Sequence, residues 1–166
     1  MGPSFDLSSL PRAWLHGTLL SLHLLGVVVW IGAGLYDLFL DREIERARGT
    51  PAEVVLARVY VRYGPAIVAA VFVVAATGAL QTWLFGFGWL GWSWLGAKQV
   101  LMGVVLAVLF GLFPSFARMS RAVSALPVGA AELSGEARQQ LARVRPWLVV
   151  IRACAITALL LAAFRP

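Results

Sequence analysis

Long apolar stretches alternate with short charged ones along this chain. Four stretches, at about 13–40, 58–85, 95–117 and 147–164, are each long enough to cross a bilayer, which takes roughly 20 apolar residues in helical form. The pattern predicts an all-α fold, an integral membrane four-helix bundle, with residues 1–166 as a single transmembrane domain. The first stretch is too long for the apolar core of a cleavable signal, about 7–15 residues. It runs directly into Asp41-Arg42-Glu43, a stop at the membrane surface, with no small-residue cleavage site.

Local signals refine the helix ends. Thr50-Pro51-Ala52-Glu53 reads as a capping box with proline at the first helical position, so the second helix is expected to begin near Pro51, outside the membrane. Ser134 before Gly135-Glu136 marks the start of the fourth, and Pro65 and Pro146 should bend these two helices. Both contain Leu-Ala-Arg-Val, at 56–59 and 141–144, an echo consistent with two duplicated helical hairpins. Gly103, Ala107 and Gly111 form a small-residue face on the third helix, suited to close approach of another helix, including one from a second copy of the chain.

Charge sets an orientation. Ten arginines lie in or beside the first and third connections: Arg42, Arg46, Arg48, Arg58 and Arg62, then Arg118, Arg121, Arg138, Arg143 and Arg145. Arg12, Lys98 and Arg165 are the three basic residues on the other side. The positive-inside rule puts both charged connections in the cytoplasm and both termini outside, as for a multi-pass protein of the cell (inner) membrane. The net charge of +6 therefore points to lipid headgroups, not to nucleic acid. Sixty per cent of the residues are hydrophobic and 13% charged, and mean hydropathy is +0.82, against about 25% charged in soluble domains. The single cysteine, Cys154, sits in an apolar run and reads as a packing residue.

Ionisable groups inside a membrane are costly, so each is a functional candidate. His16, His23, Trp30 and Asp37 recur in steps of seven and share one stripe of the first helix. Lys98 and Met102 begin the third helix on a face away from its small residues, free to line a cavity, and Thr77 and Gln81 fall at similar depth on the second. Asp37 and Arg152 match in depth and are expected to pair. The segment Trp83–Trp94 interleaves aromatics with Gly86, Gly88 and Gly91, as either an interfacial aromatic belt or a lid over a planar ligand. His23 suits a metal or haem ligand, or a histidine satisfied by helix–helix hydrogen bonds. There is no HxxxH, no cysteine pair, no phosphate-binding glycine loop and no paired intramembrane carboxylates.

Leu22-His23-Leu24-Leu25 with Trp30 and Gly32/Gly34 resembles the first helix of the HemJ/CopD-like membrane proteins. Arg62-Tyr63-Gly64-Pro65 leading to Thr77-Gly78 is similar to their second helix, and Trp94-Leu95-Gly96-Ala97-Lys98 to the start of their third. The likeness spans roughly residues 20–110. It implies a haem-dependent, protoporphyrinogen oxidase-like oxidoreductase or electron-transfer protein, with haem b as cofactor. By the same resemblance His23 would ligate the iron and Lys98 would meet a porphyrin carboxylate. Trp30 with the outer aromatics would wall the macrocycle, a second iron ligand would be Met102, a residue of another chain, water or none, and the substrate would be an apolar tetrapyrrole or quinol-type molecule. The CopD-like branch implies instead copper or other solute transport, with His16 and His23 as successive sites; a purely structural membrane subunit is the third reading. The basic residue late in the first helix and the Asn-Glu-x-Pro signature of the fourth, both typical of the HemJ branch, are missing; Arg42 and Ile151-Arg152-Ala153-Cys154 stand nearest.

Overall fold

The computed structural model describes residues 10–164; Arg165, part of the charge count above, lies outside them. Four helices make up the fold: α1 (Leu10–Arg46), α2 (Pro51–Phe85), α3 (Trp94–Ser124) and α4 (Gly135–Ala163). All four are long and apolar enough to cross a membrane, and no strand occurs among the described residues. Much of their apolar surface faces outward: Leu24, Leu25 and Val28 of α1, Phe110 of α3 and Val149 of α4 are all exposed. Such a perimeter belongs against lipid chains rather than water. The fold is that of an all-α membrane protein.

The helices associate as two hairpins, α1 with α2 and α3 with α4. Both charged connections lie at one end, here the arginine-rich end. The connection 86–93 with its tryptophans lies at the other, the aromatic end. At the arginine-rich end Leu40, Ile44, Ala57, Met119, Val123 and Ala137 form a core shared by all four helices. Nearer the middle, Trp30 packs with Val71, Val74, Val105, Leu109 and Ile151. The first hairpin is drawn tight at Gly26, where an added Cβ would stand 2.9 Å from Val74 Cγ2. Gly26 therefore serves close α1–α2 contact and leaves no room for a flat ring beside α1 at this level.

Several expected ends are confirmed, with one difference in detail. α2 begins at Pro51 and α4 at Gly135, and both extend well past their apolar stretches. Ser134 caps α4 by accepting from Ala137 N, and Ser93 caps α3 by accepting from Gly96 N. Thr50, however, makes no side-chain cap: its hydroxyl turns back to Ala47 O at 2.6 Å, the end of α1. Glu53 is drawn away by Arg138 and accepts from Gly49 N instead of Thr50 N. α2 and α4 run unbroken through Pro65 and Pro146, and α3 through Pro114.

Two repeat-like signals have no counterpart in packing. In the α2 copy of Leu-Ala-Arg-Val the alanine is buried and the valine exposed, whereas in α4 leucine and valine are buried and alanine exposed. Gly103, Ala107 and Gly111 are exposed, and a Cβ at either glycine would meet nothing within 4 Å. No helix of this chain uses that face.

Candidate functional site

The seven-residue stripe of α1 is the seam against α2. Starting from the aromatic end, His16 makes an edge contact with Phe85, ring centroids 4.6 Å apart. His23 follows, with Nδ1 3.0 Å from Thr77 Oγ1. Trp30 is buried in the middle core, and Asp37 accepts a short hydrogen bond from the Tyr63 hydroxyl. Each stripe residue thus meets α2 or the interior, which is why a heptad spacing survives in a helix whose other faces are also apolar.

The chemistry at His23 follows from Thr77. The threonine hydroxyl has one proton, and it lies 2.6 Å from Val73 O, the usual acceptor for a helical threonine. With that proton committed, Oγ1 can only accept, so His23 Nδ1 carries the hydrogen and Nε2 keeps its lone pair. The ring shows its Nδ1–Cε1 edge to Gly78, where an added Cβ would be 3.4 Å from Cε1. An imidazole held by a hydrogen bond at one nitrogen with the other left basic is the usual arrangement of a metal-ligating histidine. The donor chemistry of His23 therefore fits a residue that would ligate iron.

The remaining residues of the expected site are distributed more widely. Lys98 Nζ lies 4.4 Å over the Trp94 ring at the aromatic end, a cation–π contact. Met102 is partly buried against the middle core. Trp30 lies seven residues, about 10 Å, deeper than His23 and lines a different feature, a cavity of about 360 Å³ in the arginine-rich half. Of His23, Trp30, Lys98 and Met102, only Trp30 reaches it. Among the described residues no three histidine, cysteine or acidic side chains converge as a metal cluster.

At the polar end of that cavity Asp37 and Arg152 pair as expected, Nη2 to Oδ2 at 3.5 Å, with Tyr63 as an additional donor to the same carboxylate. The pair belongs to a longer series. Arg145 bridges Asp41 and Glu45, both at 2.8 Å, and Arg138 makes a fork with Glu53 at 3.0 and 2.7 Å. Arg138, Arg145 and Arg152 are two helical turns apart, so one face of α4 clamps the first hairpin onto the second. Their sevenfold spacing was visible in the sequence, whereas the Asp41, Glu45 and Glu53 partners emerge only in the fold.

The aromatic connection turns outward. Trp83, Trp89 and Trp92 are exposed, and the cavity lies at the opposite end, so this loop does not cover it. Gln99 orders the loop by accepting from Leu90 N at 2.7 Å and donating to Gly88 O at 3.1 Å, a role the sequence did not suggest. Exposed tryptophans flanking apolar helices fit a membrane–water interface. Comparison of the chain with protein-family models, with curated proteins and with solved structures gave no match in any of the three.

Proposed function

We propose that the protein is a haem-binding membrane oxidoreductase or electron-transfer protein, similar to the HemJ branch, in which His23 would hold the haem iron. The observation that supports it is the Thr77 hydrogen bond, which leaves His23 Nε2 basic within an apolar bundle. In this reading Lys98 meets a porphyrin carboxylate by a charge-assisted contact, and Met102 is available to the same half of the bundle. When bound, the haem supplies one-electron redox chemistry. The chain's part is to hold the imidazole in one tautomer, keep water away and neutralise a carboxylate. The arginine-rich end faces the cytoplasm of an inner membrane, following the positive-inside bias.

The test is the absorption spectrum of purified protein after haem reconstitution. A Soret band that is lost in His23→Ala, and retained in His16→Ala, supports the assignment. A band of full intensity and unshifted position in His23→Ala refutes it.

A further inference from the structure

We propose that the cavity in the arginine-rich half binds a neutral quinone-type ring. This names the substrate class for the redox reading above and rests on that reading for its purpose, although the site shares no residue with His23.

Size, walls and access come first. At about 360 Å³ the space falls in the lower part of the range for small-molecule sites, about 300–1,000 Å³. That suits a single substituted ring with the start of a tail, not a whole tetrapyrrole. Trp30, Val71, Val105, Leu109 and Phe113 give flat and branched apolar walls. The exposed members of the lining, Pro65, Phe113 and Ala117, belong to α2 and α3. The mouth thus opens between the hairpins within the apolar stretches, where a prenyl-like tail could lie among lipid chains.

The polar end selects the headgroup. Arg152 uses only Nη2, towards Asp37; among the described residues no hydrogen bond is made by its Nε or Nη1, nor by the hydroxyl of Tyr60, which lines the cavity. Ser120 adds another hydroxyl to the lining. Carbonyl oxygens on a ring would accept from these donors. Acceptors are present too: the Asp37 carboxylate and the Val61 carbonyl, which loses its helical donor because Pro65 has no N–H. The hydroxyls of a reduced ring would therefore also be satisfied. Charge favours a neutral ring: Asp37 and Arg152 are the charged residues of the lining and neutralise each other. A fatty acid would bring a second carboxylate beside Asp37, with the single guanidinium of Arg152 to offset both.

The experiment measures binding of tritiated decylubiquinone to the full chain in phosphatidylcholine nanodiscs, with protein-free discs as the partition background. Saturable binding of about one ring per chain is expected. Val68→Phe fills the space and should weaken binding at least ten-fold. Tyr60→Phe, which removes one oxygen and little packing, should weaken it about five-fold, the effect of one hydrogen bond. His23→Ala should bind like the native protein, and does so even if the haem assignment fails. The proposal is overturned by three results: no binding above empty discs in protein with a cooperative melt, native affinity in both Val68→Phe and Tyr60→Phe, or displacement by oleate as readily as by unlabelled quinone. Loss of binding in His23→Ala overturns it as well, by moving the ring to the other half of the bundle.

Discussion

His23 Nδ1 lies 3.0 Å from Thr77 Oγ1 across the α1–α2 seam, and the threonine's own proton is directed to Val73 O. The imidazole thereby acquires a fixed tautomer. Thr77→Val keeps the shape and removes the acceptor. Haem affinity in this variant should fall about 10- to 100-fold, the usual effect of losing a ligand's supporting hydrogen bond, while His23→Ala abolishes retention. Haem titration followed at the Soret maximum distinguishes the two. Equal loss in both variants would mean that Thr77 matters to packing rather than to the imidazole.

Tyr63 and Arg152 share the Asp37 carboxylate, which is only 6% exposed. Tyr63→Phe should cost about 1.5–3 kcal/mol, as expected for a hydrogen bond to a charged group. Arg152→Ala should cost more, about 3–5 kcal/mol, because an uncompensated charge remains buried. Denaturant melts in detergent would measure both. A double substitution, Asp37→Asn with Arg152→Gln, should recover much of the loss, since neither charge then remains.

Gly26 and Gly111 should respond in opposite ways to leucine. At Gly26 the new side chain meets Val74, Val73 and the Ala70 carbonyl, so α1 and α2 must separate, at about 1–3 kcal/mol. At Gly111 it enters open space on an exposed face, and chain stability should not fall. Thermal midpoints of the two variants give the comparison; a stable Gly26→Leu would show that the seam can repack.

Orientation has its own test. Thr50→Cys, in the turn between α1 and α2, should react with a membrane-permeant maleimide and resist an impermeant one in intact cells. Ready labelling from outside would place the arginine-rich end, and the cavity with it, on the outer side.

Helix number and approximate extent were legible because lipid demands long apolar segments with internally satisfied backbones, and that demand is written in hydropathy. The His16–His23–Trp30–Asp37 seam could be read for a related reason: residues that are costly in lipid must turn inward, so they report the rotation of α1. The Asp37–Arg152 pair followed from depth alone. The capping box was half legible, since the position of Thr50 held while its hydroxyl bonded back to α1 and Glu53 was captured by an arginine far away in the chain.

By itself the sequence determined an all-α fold of four spans, the charged and aromatic ends, and which face of α1 is turned inward. Only the tertiary structure decided that Gly26 closes a seam, that Gly103 and Gly111 face outward, and that a cavity of about 360 Å³ lies beside Arg152 with His23 outside its lining. The physical reason is that lipid chains are as apolar as a protein interior. An apolar face looks the same in the sequence whether it meets lipid or another helix, so periodicity cannot report how α2, α3 and α4 are turned. Those rotations are settled by side-chain packing and by the few polar partners, and they in turn settle where a cavity is left.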